Sequence, residues 1–427
     1  MKLGLLLFLS FSTSLFAAEP LVENFIKHGQ ANPKGTVAFS FDASVYQPNA
    51  DLKDLPIGVF DSGIGGLTVL EAILTLDVSH NDTLKPGADG RPDFENERFI
   101  YFGDQANMPY GNYSSAGKTD YLRELILKDA SFLLGRRWFD PQLQAFRQDK
   151  PPVKAVVIAC NTATAYGIED IRAAFQAWNI PVKVVGVVEA GARGVQETQR
   201  INTPGSIGVL ATVGTCASGA YPRVIGQTLG LAGRPVPAIT QQGSVALAGV
   251  IEGDPTFTQS VGDCATDDVR ALLEAHRKTA NPLPLTTLVL GCTHFPLAKA
   301  ELTAALAQLR LDPDYSSLIA SEVTFVDPAE WTARELFRTL ASARLRSRSL
   351  PTEPDLFYLS IPNPPRKDLP LTPEGGLQKD FKYGRETGAL DREDTVNAPL
   401  HRNDLPAVGR KLVEGRLPAV WKSMGRR

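Results

Sequence analysis

Cysteine is scarce in this chain of 427 residues, with only Cys160, Cys216, Cys264 and Cys292. Four dispersed cysteines cannot form a disulfide framework, and without a Cys-x-x-Cys or a closely spaced histidine pair no zinc site is expected. Cys216 and Cys264 are read as core residues in preference to a disulfide. Excess positive charge is lacking as well: the formal net charge is -3. A broad basic surface for phosphate backbones is therefore excluded, and nucleic acid is not an expected partner. Beyond the first twenty residues no apolar run is long enough to span a bilayer.

What is present is a core. Hydrophobic residues make up 43% of the chain and aromatics 8%, enough for two or three ordinary domains. The start, "MKLGLLLFLSFSTSLFAAEP", joins Lys2 to an apolar run and the small residues Ala17 and Ala18. It reads as a secretory signal over residues 1–18, with an exported, periplasmic product as the expectation. Residues 19–55, interrupted by Pro33 and Pro48, read as an N-terminal extension.

From Ile57 onward, short apolar runs alternate with amphipathic stretches. "IGVF", "RFIYFG", "KAVVIAC", "VKVVGVV", "SIGVLAT" and "TTLVLGC" fit buried parallel strands, and "GLTVLEAILTL" or "PLAKAELTAALAQLRL" fit the helices covering them. This alternation predicts an α/β fold of two pseudo-symmetric, doubly wound parallel-sheet lobes with the active site in the cleft between them. Lobe A is expected over 56–186, completed by about 315–360, and lobe B over 187–314. Residues 77–97, without periodicity, read as an inserted surface loop. The Pro-rich, charged stretch 361–427 reads as a C-terminal extension that wraps the core or is partly disordered. Its basic end, six Lys or Arg against one Glu from Arg410 on, offers a contact to an anionic membrane, although a solvated terminus is the commoner fate.

The chemistry is carried by an internal repeat. "AVVIACNTATA" and "TLVLGCTHFPL" share one plan: apolar strand, small residue, cysteine, then polar residues opening a helix. Cys160 and Cys292 are thus expected at the C-terminal strand ends of two similar lobes, the edge where open α/β sheets bind ligands. A single free cysteine there is more often a small buried hydrophobe. Two facing each other across a cleft are what inversion of a carbon by proton transfer requires, one thiolate removing a proton while the opposite thiol delivers one. A thiol suits this because its reference pKa of about 8.5 keeps both forms accessible. A redox disulfide between the two competes with this reading but needs Cα atoms within about 7 Å. No cofactor is implied.

Other strand ends address the same cleft. "IGVFDSGIGGLTVL" places Asp61 and Ser62 before a glycine loop whose spacing departs from the dinucleotide fingerprint, because Thr68 stands where the third glycine belongs. Such a loop can receive a carboxylate at a helix N-terminus. "YFGDQANMPYG" follows Asp104 with a turn presenting the phenol of Tyr110 and the bare backbone of Gly111, and "IGVLATVGTCASGAY" offers Thr212 and Thr215.

These motifs, in this order over about residues 57–360, resemble the cofactor-independent aspartate/glutamate racemase family. The resemblance implies interconversion of L- and D-glutamate, with Cys160 and Cys292 as the proton carriers and Asp61, Ser62, Tyr110, Gly111, Asn161, Thr162, Thr293 and His294 contacting the amino acid. It further implies that Asp61 and His294 assist the thiols, that Asp104 and Glu252 modulate them, and that Thr212 and Thr215 grip substrate carboxylates. The partner is then a small acidic amino acid, with a homodimer kept open, and the usual role is supply of D-glutamate for peptidoglycan. Aspartate or another acidic amino acid is the alternative substrate. A two-lobed periplasmic binding protein without turnover is the alternative from another class.

Overall fold

In a computed structural model, residues 20–199, 204–254, 256–405 and 407–426 are described; the expected secretory signal lies outside them. The chain opens with helix α1 (Pro20–Ala31), followed by β1 (Ile57–Asp61), α2 (Leu67–Thr75), β2 (Phe99–Gly103), α3 (Gly111–Ser115) and α4 (Thr119–Leu134). A hairpin of β3 (Trp138–Asp140) and β4 (Ala145–Arg147) leads to β5 (Ala155–Ile158), α5 (Asn161–Ala177) and β6 (Lys183–Gly186). The second lobe runs through α6 (Val187–Thr198), β7 (Ser206–Thr212), α7 (Val213–Ala217), α8 (Ala220–Leu231) and β8 (Ile239–Ser244). It continues with α9 (Leu247–Glu252), α10 (Val261–Arg277), β9 (Leu285–Gly291), α11 (Lys299–Leu311) and β10 (Ile319–Val326). Helix α12 (Pro328–Ser342), β11 (Leu356–Pro362), α13 (Lys379–Gly384), β12 (Thr395–Pro399), α14 (Ala407–Arg416) and α15 (Pro418–Ser423) complete the chain.

The two sheets repeat one topology. Lobe A orders its strands β12-β11-β2-β1-β5-β6 and lobe B orders them β10-β9-β7-β8. The series β2-β1-β5-β6 and β8-β7-β9-β10 therefore correspond strand for strand. Because helices cover both faces of each sheet, the interior strands β1 and β7 are buried on both: Ile57, Val59, Phe60, Val209 and Leu210 are all 0% exposed. Each such side chain contributes roughly 1.5–3 kcal/mol of burial, which fixes the strands as the interior of each lobe.

Register then decides which residues leave the sheets together. Phe60 pairs with Ile158, so Asp61 and Cys160 emerge from adjacent strands of lobe A. Ala211 pairs with Gly291, so Thr212 and Cys292 emerge side by side from lobe B.

One boundary differs from the sequence expectation. Strand β10 pairs in parallel with β9 and so belongs to lobe B, because the short crossover through α11 returns the chain beside the strand it left. The chain re-enters the lobe A sheet with β11, which pairs in parallel with β2. Residues 20–55 are integrated into lobe A: Phe41 stacks on Trp178 at 4.7 Å, and the Tyr46 hydroxyl donates to Val153 O at 2.8 Å. The tail is ordered, with β12 as an antiparallel edge strand on β11 and Val413, Leu417 and Val420 buried in the lobe A core. Residues 77–97 do form an irregular loop, pinned by Asp77, which accepts from Asp89 N and Gly90 N, and by Asp93, which accepts from Val78 N and Ser79 N.

Candidate active site

The lobe A half is built on capping. Cys160 ends β5 and is the N-cap of α5, its Sγ accepting from Ala163 N at 3.4 Å and lying 3.8 Å from Ser62 Oγ. Asp61 turns back into its own loop, its Oδ2 accepting from Gly63 N at 3.1 Å and Gly66 N at 3.0 Å. Burial raises the Asp61 carboxyl above its ordinary range, against the pull of His294 and the loop N–H groups. Burial and then the neighbouring Asp61 push the Cys160 thiol far up, outweighing Ala163 and Ser62. At rest this cysteine carries its proton.

The lobe B half is built around an imidazole. His294 Nδ1 lies 3.7 Å from Cys292 Sγ and its Nε2 lies 2.7 Å from Glu252 Oε1. Burial alone would lower the His294 pKa, but Cys292 and Glu252 overcome it and hold the ring well above the ordinary value. A charged imidazolium therefore stands beside one thiol and a carboxyl beside the other. Thr212 caps α7 by accepting from Thr215 N at 3.2 Å, and the two hydroxyls lie 3.0 Å apart.

The halves are joined at their strand ends. Thr162 Oγ1 and Thr215 Oγ1 lie 3.1 Å apart, Tyr221 donates to Asn161 Oδ1 at 2.6 Å, and Thr68 Oγ1 donates to Thr293 O at 2.9 Å. Glycine permits the closest approaches: a Cβ on Gly65 would collide with the His294 ring, and one on Gly214 would stand 2.6 Å from Gly111 Cα. The cleft is closed around its thiols, with Cys160 and Cys292 each only 6% exposed and both free.

A family model described as Asp/Glu/Hydantoin racemase matches residues 134–336. Glutamate racemase of Limosilactobacillus fermentum is 32% identical over 277 residues, 65% of this chain and 77% of that protein. Glutamate racemase of Thermus thermophilus is 33% identical over 291 residues, covering 68% of this chain and 81% of that protein. The chain belongs to the Asp/Glu/hydantoin racemase family. Among solved structures, a glutamate racemase isoform of Bacillus anthracis is similar with TM-score 0.49 and 26% identity, covering 70% of this chain and 86% of that one.

Within this racemase-family chain the predicted residues gather at one place, with one correction. Tyr110 does not present its phenol to the cleft: the side chain is buried, and its hydroxyl lies 2.5 Å from Asp104 Oδ2 and 2.6 Å from Asp129 Oδ2. A buried hydroxyl must find a partner, and two carboxylates beneath the turn supply it. What Tyr110 and Gly111 offer a ligand is backbone at the start of α3. Asp104 accordingly acts beneath the loop rather than on a thiol, also accepting from Asn107 Nδ2 at 2.8 and 2.9 Å. One phenolic proton cannot serve two carboxylates, and burial followed by the charge of Asp104 drives Asp129 well above the carboxylate range. Burial thus favours the neutral form of Asp129.

Sequence reasoning missed Asp129, Thr68 and Tyr221. Asp129 and Thr68 lie within amphipathic helices and Tyr221 in a helix start, where nothing local distinguishes them from packing residues. Cys264 is buried and Cys216 half-buried, both as free thiols, in agreement with core roles. Among the described residues no cluster of His, Cys, Asp or Glu could hold a metal ion, and no helix is long and apolar enough to cross a membrane.

Proposed function

We propose that this chain interconverts L- and D-glutamate by proton transfer at the α-carbon between Cys160 and Cys292. The observation that carries the reading is the matched placement of the two thiols, each one residue or two beyond a corresponding strand and on opposite lobes of one closed cleft. One thiolate takes the α-proton from its face, and the opposite thiol delivers its own proton to the other face. The sulfurs exchange protonation states in each turnover, so the reverse reaction uses the same pair with roles swapped.

The α-proton of an amino acid is weakly acidic, so the developing negative charge on the carboxylate must be met by fixed donors in a site that excludes water. Ser62, Gly111, Asn161, Thr162, Thr293 and the Thr212–Thr215 pair are the donors at these strand ends. Asn161 has its Oδ1 committed to Tyr221, which orients its N–H donors for a ligand. His294, held by Glu252, stands against Cys292, while burial and Asp61 favour the protonated form of Cys160.

The test follows solvent deuterium into the α position of each enantiomer without added pyridoxal phosphate, across glutamate, aspartate and related acids. Cys160→Ala and Cys292→Ala should each reduce racemisation by about 10²–10⁴-fold. Each should still exchange one enantiomer with retention, because the surviving thiol returns a deuteron to the face it emptied. Full retention of protium with every acidic amino acid, or racemisation surviving both substitutions, defeats the reading. We further propose that the leader directs export and that the product serves peptidoglycan; N-terminal sequencing of the mature protein tests the first, by a start near residue 19.

A further inference from the structure

The tail, which lies beyond the part of the chain resembling the family, reaches the active site from behind. Between Lys379 and Gly388 it lies along the loop 104–118. Lys382 Nζ donates to Met108 O at 2.7 Å, and the buried Arg385 donates to Asn107 Oδ1 and, at 3.4 Å, to Tyr113 Oη. The Tyr383 ring packs edge-on against Tyr113 at 4.8 Å, Lys118 pairs with Glu386, and Gly388 N donates to Glu124 Oε2 at 2.6 Å. Asn107, held by Arg385, donates from Nδ2 to both carboxylate oxygens of Asp104, which in turn binds Tyr110. Gly111, next in sequence, touches Gly214 of lobe B.

We propose that residues 379–388 form a strap that positions the active-site loop, with Arg385 and Lys382 as positioning residues for the reaction. The inference rests on the racemase reading above, in which Tyr110 and Gly111 backbone meets the substrate. Neither cation approaches a thiol; both act through the loop. Arg385 fixes its floor through Asn107 and Asp104, and Lys382 fixes the Met108 carbonyl immediately before the Pro109–Gly111 turn. A guanidinium is suited to this, because its Nη2 alone carries two N–H groups and so serves an amide oxygen and a phenol at once.

Arg385→Gln and Lys382→Met are to be compared with wild type and with Ser423→Ala. The last removes a tail anchor to Asp355, remote from the loop. Loss of folded enzyme lowers apparent kcat and leaves KM alone, whereas a misplaced loop raises KM. We expect KM for both enantiomers to rise on the order of tenfold in Arg385→Gln, within the hundredfold that a 1 Å misplacement can cause. Arg385→Lys should recover part of it, and Ser423→Ala should change thermal stability without changing KM. Amide hydrogen exchange should speed up in peptides covering 104–118 and not in those covering 285–298. With an active wild type, unchanged KM in both strap variants overturns the proposal. A wild type that exchanges no α-proton overturns the glutamate reading instead, and exchange in 104–118 then decides by itself whether the strap holds the loop.

Discussion

His294 and Glu252 form a half-buried pair, Nε2 to Oε1 at 2.7 Å, on the far side of the imidazole from Cys292. The pair connects α9 to the loop after β9 and sets the charge beside one of the two thiols. The folded pKa of His294 lies above the ordinary 6.5, so the charged ring contributes stability that is complete below about pH 6.5 and is lost as pH rises through the folded value. Glu252→Gln should bring that loss to lower pH. The alkaline limb of the kcat/KM profile should shift toward neutrality with it. Because enantiomers have equal free energy in water, kcat/KM must fall by one factor in both directions; an alkaline limb that Glu252→Gln leaves in place would refute the assignment.

The Asp129 carboxyl is raised by burial and by Asp104, and the sign of its linkage runs the same way. The neutral acid contributes stability present below about pH 3.9, the unfolded value, and lost as pH climbs through the raised folded value. An asparagine side chain would offer an N–H where the protonated acid offers its O–H. Asp129→Asn should therefore fold, keep activity within a few-fold, and lose less stability than wild type as pH rises above about 3.9. Urea midpoints at pH 5, 7 and 9 check this, and a parallel pH dependence in the two proteins would count against a protonated Asp129.

Gly65 lies against the His294 ring so closely that any side chain must displace something. Gly65→Ala is expected to push the imidazole off Glu252 and lower kcat by up to about 10²-fold, as for a 1 Å misplacement. Circular dichroism should remain that of the wild type. Full activity in the folded variant would mean that His294 has another productive position.

Thr215 is 0% exposed and bonds Thr212 within lobe B and Thr162 across the cleft. Replacing it with valine keeps shape and removes both bonds, which should lower stability by about 1–3 kcal/mol, since Thr162 and Thr212 lose a partner in a dry site. KM should rise as well, because the lobes lose a link at the substrate. Thermal unfolding and steady-state kinetics on one preparation separate the two effects.

Lys154 and Glu97 form a buried pair at 2.6 Å, with side chains 0% and 3% exposed. Burial pulls the lysine down and pushes the carboxyl up, so neither charge is comfortable without the other. Lys154→Met alone should cost about 3–5 kcal/mol, and adding Glu97→Leu should recover much of it. Denaturant unfolding of the two variants measures the difference; equal stability of single and double variants would show that the pair does not act as a unit.

Much of the site is legible in the sequence because its residues sit where strands stop. Apolar runs ending in Asp61, Cys160, Thr212 and Cys292 reveal both the strand and its end, and the repeat of the cysteine motif implies the two lobes. The side of a turn on which a side chain lies is not a local property. Tyr110 has the local look of a ligand because it follows a proline beside a glycine, yet Asp104 from its own loop and Asp129 from helix α4 draw its hydroxyl inward. Strand β10 falls in the other lobe from the one expected for a similar reason, since a run such as "VTFV" fits either sheet and only the crossover length selects its neighbour.

The alternation of strands and helices, the position of each strand end and the types of polar residue placed there are all contained in the linear sequence. They follow from side-chain hydrophobicity and backbone preference, which act over a few residues. The bond that ties His294 to Glu252, the bonds that close the cleft, and the strap from Arg385 to the active-site loop arise only when the chain is packed. Those depend on burial and on partners far apart in the chain, and burial is what turns an ordinary carboxyl, thiol or imidazole into one with a displaced pKa.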